Sequence, residues 1–160
     1  MAQEIKLRLA TVFDAFQIAV ISRDVIETGL GWSWTSPRVL RSIRCPDVTV
    51  LVADVGHQVV GFAIMYFAEE EAHLNLLAVR KDYQRAGLGR RLIEWLEVSA
   101  LVAGISVIYL EVRANNRSAQ TFYETLGYRK IAHVPGYYSG RESAVYMARD
   151  LLCSTSTRAT

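Results

Sequence analysis

The sequence predicts an α/β chain (α+β in schemes that separate mixed sheets), with a mixed central sheet of about seven strands and about four helices. Three observations carry this. Two apolar runs, residues 48–53 and 59–67, flank an Asp54-Val55-Gly56-His57 turn and read as an antiparallel hairpin. Residues 72–113 read as strand, amphipathic helix, strand, which makes those two strands parallel through a right-handed crossover. Residues 128–134 and 144–147 read as a closing hairpin, joined through Pro135-Gly136-Tyr137-Tyr138-Ser139-Gly140.

The elements follow in order. Ile5, Leu7 and Leu9 alternate with Lys6 and Arg8, the period of a half-buried first strand. Thr11 is placed to cap a helix with Asp14 in its first turn, and Phe13, Phe16, Ile18, Val20, Ile21 and Val25 supply its apolar face to about Glu27. Residues 29–34, Gly-Leu-Gly-Trp-Ser-Trp, break that pattern; Ser36-Pro37 then starts a short helix, Ser as cap and Pro first. Glu69-Glu70-Glu71 is a solvated tip before the strand at residues 72–79. The helix over residues 87–103 carries Leu88, Leu92, Leu96, Ser99 and Ala103 on one stripe with Trp95 beside them, and Gly104 ends it. Residues 107–112 are the next strand and residues 118–126 a helix capped by Gly127, with Phe122 in its core. The expectation is a single domain over residues 1–152 and a short polar tail at 153–160.

Bulk properties exclude several classes. A formal charge of +2 over 160 residues gives no reason to expect nucleic-acid or membrane binding. The longest apolar stretch, residues 98–110, is too short to span a bilayer and is interrupted by Gly104 and two serines. Cys45 and Cys153 have no metal-like spacing, His57 and His133 have no metal-like partners, and no signal-peptide core opens the chain. The reading is a reduced, cytoplasmic, metal-free protein, monomeric or homodimeric.

The chemically informative stretch is residues 79–91, Val-Arg-Lys-Asp-Tyr-Gln-Arg-Ala-Gly-Leu-Gly-Arg-Arg, where a strand ends and a helix begins. Gly87 and Gly89 let a ligand approach the backbone, helix-start N–H groups point outward, and Arg85, Arg90 and Arg91 add positive charge. This suits a pyrophosphate; the alternative is an ordinary basic strand-to-helix turn. A dinucleotide fingerprint would need a third glycine where Leu92 stands, and a P-loop would need Lys-Ser/Thr where Arg90-Arg91 stand.

Gln84-x-x-Gly87-x-Gly89 at such a junction resembles motif A of the GNAT superfamily of acyl-CoA N-acyltransferases. The resemblance extends through Leu110-Glu111-Val112-Arg113-Ala114-Asn115-Asn116 and Ala119-Gln120-Thr121-Phe122-Tyr123-Glu124-Thr125-Leu126-Gly127-Tyr128, and covers nearly the whole chain in register. Within the superfamily the chain is most similar to bacterial ribosomal-protein alanine N-acetyltransferases and related N-alpha-acetyltransferases. It departs from them at residues 29–34 and at Glu142-Ser143-Ala144, where Glu-Asp-Ala is common; both regions contact the acceptor in such enzymes.

The resemblance implies helices on both sheet faces and an acetyl-CoA-dependent transfer of acetyl to a primary amine by direct attack. The implied acceptor is a protein or peptide N-terminal α-amine. A small-molecule amine and a non-catalytic coenzyme A-binding module are the alternatives. Gln84, Arg85, Ala86, Gly87, Leu88, Gly89 and Arg90 would hold the coenzyme pyrophosphate, the backbone of Leu77, Ala78 and Val79 its pantetheine, and Asn116 another part of it. A backbone N–H at residues 77–79 would also polarise the thioester carbonyl. Glu111, a carboxylate on an otherwise apolar strand, matches the proposed general base; a salt bridge with Arg113 or a lysine is its alternative. Tyr123 matches a tyrosine that faces the coenzyme sulfur as general acid. His73, sharing a strand face with Asn75 and Leu77, could link Glu111 or the incoming amine to solvent, or be a satisfied strand histidine. Trp32, Trp34, Asn75, Tyr137 and Tyr138 are the acceptor-side residues, though loop aromatics also plug loops onto a core.

Overall fold

The structure, a computed structural model, describes residues 3–138 and 142–156. Seven strands form one mixed sheet in the order β1-β2-β3-β4-β5-β7-β6. They are β1 (Lys6–Leu9), β2 (Val48–Val55), β3 (Gln58–Phe67), β4 (Glu71–Val79), β5 (Val107–Arg113), β6 (Arg129–Tyr138) and β7 (Glu142–Asp150). Among the described residues five α-helices accompany them: α1 (Ala15–Ile21), α2 (Ser36–Arg44), α3 (Leu88–Val102), α4 (Arg117–Thr125) and the short α5 (Leu151–Ser156). The chain divides into two compact units, residues 1–66 with 75–98 and residues 67–74 with 99–160.

In the first unit β1, β2 and β3 are antiparallel, and Gly56 and His57 close the β2–β3 turn with φ of 54° and 70°. Ile18, Ala19, Ile21 and Val39 from α1 and α2 pack with Val50, Val52, Phe62, Ile64, Leu76 and Ala78. The α1 face differs from expectation. Phe13 and Phe16 are 88% and 65% exposed, while the small Ala15 and Ala19 are buried and let the helix approach the sheet closely. The helix begins as a 3-10 turn over Val12–Asp14 and ends in a π-helical turn over Ser22–Ile26, so the apolar stripe does not keep one 3.6-residue phase. Thr35, not Ser36, precedes α2, and Pro37 sits one place deeper in its first turn.

Gly61 in β3 has a packing reason. A Cβ there would lie 3.2 Å from the Ala78 carbonyl oxygen and 3.5 Å from Leu92 Cδ1, so its absence lets β4 and α3 close on β3. Leu88, Leu92, Ile93, Leu96 and Ala100 form the buried stripe of α3; Trp95 and Ala103 face outward, one helical position off the expected stripe.

In the second unit Glu71–Leu74 of β4 run parallel to Val107–Leu110, and β7 pairs antiparallel with both β5 and β6. Ile108, Leu110 and Val112 are buried, which turns Tyr109, Glu111 and Arg113 to the other, half-buried face of β5. The end of α3 is a Schellman motif: Gly104 (φ 85°) donates to Leu101 and Ile105 to Ala100. The same device ends α4, where Gly127 (φ 99°) donates to Glu124 and Tyr128 to Tyr123. Here the expected core residue is displaced: Tyr123 is buried, whereas Phe122 is half-buried. Tyr137 and Tyr138 lie on β6 rather than in a loop, because β6 continues past a register irregularity between Val134 and Tyr138. The start of the expected polar tail is helical in α5, with the Asp150 carboxylate accepting the Leu152 and Cys153 N–H groups; Ser139, Gly140 and residues 157–160 lie outside the described residues.

Candidate active site

The strand-to-helix turn belongs to the first unit. Arg85 and Gly87 both adopt left-handed backbone, φ 66° and 77°, and α3 starts at Leu88. Gly87 O accepts the Arg91 N–H at 3.1 Å, so the N–H groups of the first helical turn have no acceptor within the helix. They open onto exposed residues 84–87, at the positive end of a 15-residue helix. Gln84 has a local duty: its Nε2 donates to Val79 O at 2.8 Å and ties the turn to the end of β4. Arg90 pairs with Glu94 one turn on, at 3.1 Å. The backbone N–H groups at the start of α3, with the exposed Arg85 beside them, fit a pyrophosphate.

The second unit holds the acid–base cluster. His73 Nε2 lies 2.6 Å from Glu111 Oε2 and 2.8 Å from Oε1, so the ring N–H donates to the carboxylate. The strand register makes this pair: His73 is the lateral neighbour of Tyr109 across β4–β5, and Glu111 stands two residues along the same face. The Glu111 side chain is 11% exposed and that of His73 30%, a carboxylate nearly out of water beside an imidazole that reaches it. Tyrosines ring the carboxylate. Tyr146 is its cross-strand partner on β7 and lies 5.8 Å from Tyr109 between ring centroids. Tyr137 hydrogen-bonds Glu111; burial, then the charge of Glu111, hold its phenol above the ordinary value. Tyr146 is raised in the same way. Burial and then Tyr137 hold Tyr138 high as well. Tyr137 and Tyr138 meet edge to face at 4.9 Å.

Tyr123, at the last turn of α4, packs edge-on against Phe122 and Tyr128 with centroids 5.2 and 5.6 Å away. Burial, with a smaller contribution from Tyr138, raises its pKa, so the phenol holds its proton throughout the neutral range. Asn116 caps α4: its Oδ1 accepts the Ala119 N–H at 3.1 Å. Arg113 Nε is 3.6 Å from Glu142 Oε2, and its guanidinium lies 5.9 Å from the Tyr138 ring centroid.

The two tryptophans expected on the acceptor side, Trp32 and Trp34, belong to the first unit. Trp32 Nε1 donates to Ala19 O at 3.2 Å with Arg23 over its ring, and Trp34 packs on the α1–α2 core under Arg38 at 3.8 Å. Asn75 and Leu77 share the half-buried face of β4. Sequence reasoning missed Tyr146 and Tyr109, whose signal was their same-face register with Glu111, and missed the buried Glu27. Among the described residues no group of His, Cys, Asp and Glu is placed to hold a metal ion, and no helix is long and apolar enough to cross a membrane.

Comparison with known proteins accords with this geometry. Residues 19–128 match the model of the acetyltransferase (GNAT) family. The ribosomal protein bS18-alanine N-acetyltransferase of Escherichia coli K12 is 43% identical over 90 residues, 54% of this chain and 61% of that protein. An uncharacterized N-acetyltransferase of Methanocaldococcus jannaschii is 34% identical over 99 residues, 61% of this chain and 64% of that protein. The matched segment thus spans about three-fifths of the curated relatives' length. Among solved structures, the Escherichia coli ribosomal-protein-S18-alanine N-acetyltransferase superposes with a TM-score of 0.80 at 29% identity, covering 92% of this chain and 94% of that one. Ard1 from Thermoplasma volcanium gives 0.81 at 26%, covering 91% and 97%. With the family model matching residues 19–128, more than half of its length, the chain belongs to the GNAT acetyltransferase family.

Proposed function

We propose that this chain is an acetyl-CoA-dependent N-acetyltransferase whose acceptor is the α-amine of a protein or peptide N-terminus. The observation that carries the reading is the His73–Glu111 pair, a hydrogen-bonded base set among tyrosines on one sheet face. The names of the similar proteins support it. Residues 1–152 would form one catalytic domain in a reduced, cytoplasmic protein.

In this reading the first-turn N–H groups of α3, with Arg85 beside them, hold the coenzyme pyrophosphate, and the backbone of Leu77 to Val79 guides the pantetheine. The amine nitrogen attacks the thioester carbonyl carbon and forms the C–N bond. Glu111 takes the proton the nitrogen sheds, and His73, half in solvent, carries it outward. The C–S bond then breaks, and the departing thiolate takes the phenolic proton of Tyr123. No cysteine or serine nucleophile is needed, and no acyl-enzyme forms.

The test is initial-rate thiol release from acetyl-CoA with peptides beginning in Ala, Ser, Thr or Met, then free amino acids, polyamines and aminoglycosides. Turnover with peptides is expected. Turnover confined to free small amines would move the acceptor to that class, and coenzyme A binding without turnover on any acceptor would replace the enzyme with a regulatory module.

A further inference from the structure

Among the described residues three carboxylates outside the acid–base cluster are buried, Asp14, Glu97 and Glu27; Glu27 stands at the end of the π-helical turn that follows α1 and is 7% exposed. Its N–H bonds back to Ser22 O, the five-residue step that swings its side chain inward. Among the described residues no cation pairs with it. Four neutral donors fill its oxygens: Ser22 Oγ at 3.1 Å, Ser33 N at 2.8 Å, Ser33 Oγ, and Trp34 N at 3.2 Å. A carboxylate has about four acceptor sites, so the set is complete. Three of the four donors belong to residues 33 and 34, and the loop between them and Glu27 carries left-handed glycines at 29 and 31. Glu27 thus adds a buried anchor to a loop otherwise held by the Leu30 N–H on Glu27 O, the Trp32 Nε1–H on Ala19 O and the packing of Trp34, and the two residues fixed at its far end flank or bear the indoles of Trp32 and Trp34. Each indole already has a cation over its ring, from Arg23 and Arg38.

We infer that Glu27 is the positioning residue of the acceptor platform: it sets the loop that presents Trp32 and Trp34, and so governs acceptor binding without taking part in bond making. This rests on the acetyltransferase reading above. Glu27→Gln keeps the side-chain size and one oxygen for the Ser33 donors, but it removes the charge and turns an NH₂ toward the Trp34 N–H, so the anchor is weakened.

The protein has three tryptophans, and Trp95 is the one outside this loop, on the outer face of α3. In a Trp95→Phe background, emission therefore reports Trp32 and Trp34 alone. Glu27→Gln is expected to red-shift that emission and to raise the KM for an alanine-initiated peptide about tenfold. The kcat and the KM for acetyl-CoA should stay within about twofold. An unchanged peptide KM, or a tenfold fall in kcat at unchanged KM, would overturn the inference. If Glu27→Gln does not fold, Ser33→Ala removes one donor from an exposed residue; a peptide KM raised about threefold supports the inference and an unchanged one overturns it. Failure of the unsubstituted protein to acetylate any peptide would appear before any variant is made, and would overturn the underlying reading with the inference.

Discussion

Glu111→Gln separates the chemical role of this carboxylate from its structural one. The variant keeps an oxygen that can accept the His73 N–H now found 2.6–2.8 Å away, so one charge-assisted bond becomes a neutral one. That exchange costs about 1 kcal/mol, or roughly 2–4 °C in a chain of this size, too little to empty the folded state. The kinetic effect should be far larger. A peptide α-amine has a pKa near 7.8, so about one molecule in seven is neutral at pH 7 and more than nine in ten at pH 9. A group that merely stripped the ammonium before attack would therefore be worth at most about sevenfold at pH 7 and almost nothing at pH 9. A base acting in the transition state is worth about a hundredfold or more at both. We expect kcat/KM for an alanine-initiated peptide, from initial-rate thiol release, to fall at least about a hundredfold at both pH 7 and pH 9. A loss below about threefold at every pH would make the pair structural, and a sevenfold loss that vanishes by pH 9 would remove Glu111 from the transition state.

Three further outcomes follow from the same geometry. Tyr123→Phe keeps the edge-on packing against Phe122 and Tyr128 but deletes the proton, so kcat should fall about tenfold or more with coenzyme A affinity unchanged by calorimetry; an unchanged rate with chemistry limiting would dismiss the acid role. Gly61→Ala places a Cβ 3.2 Å from a strand carbonyl and 3.4 Å from Val79, costing about 1–2 kcal/mol after the gain from a stiffer unfolded chain; calorimetry should show melting lower by about 3–6 °C, and a higher one would show that β4 can yield. Burial pushes the Asp14 carboxyl up, but the two hydrogen bonds from Arg8 at 2.8 and 3.0 Å, the Thr11 N–H at 2.7 Å, the Arg8 charge and the Thr11 hydroxyl together outweigh it and leave the pKa lowered. A depressed carboxyl stabilises the fold above its unfolded value of 3.8 and loses that contribution as pH falls through the folded value. Asp14→Asn should then melt several degrees lower at pH 7 by circular dichroism, with the gap closing well below pH 3.8; a gap independent of pH would assign the loss to packing.

Much of the fold was legible because the strands and α3 carry simple periods. Strands β2 to β5 and the glycine stops after α3 and α4 follow from alternation and from left-handed caps, which are local properties. What escaped was set by distant partners. Phe13 and Phe16 read as core because their spacing is helical, but the small Ala15 and Ala19 took the buried side. The Tyr137–Tyr138 pair read as a loop because Pro135-Gly136 is a turn signal, yet pairing with β7 carried the strand through it. The site split along the same line. His73 and Glu111 were each visible as polar residues on apolar strands, and parallel register brought them together. Tyr146 and Glu27 were not, since one depends on which strand lies beside β5 and the other on a single extra residue in a helical turn.

The two outer strands of the sheet bear on how the chain behaves when crowded. An unpaired strand edge invites another chain to add to it, and the risk grows with its length and flatness. Strand β1 is four residues long with Lys6 and Arg8 in its run, too brief to template a neighbour. Strand β6 spans ten residues and is largely exposed, but it opens with Arg129 and Lys130, its pairing slips twice, and Pro135 deletes a donor from its middle. A ladder begun on either side would stall within a few residues. The sheet is thus protected against edge-to-edge pairing with a second copy of itself by charge, brevity and a missing N–H.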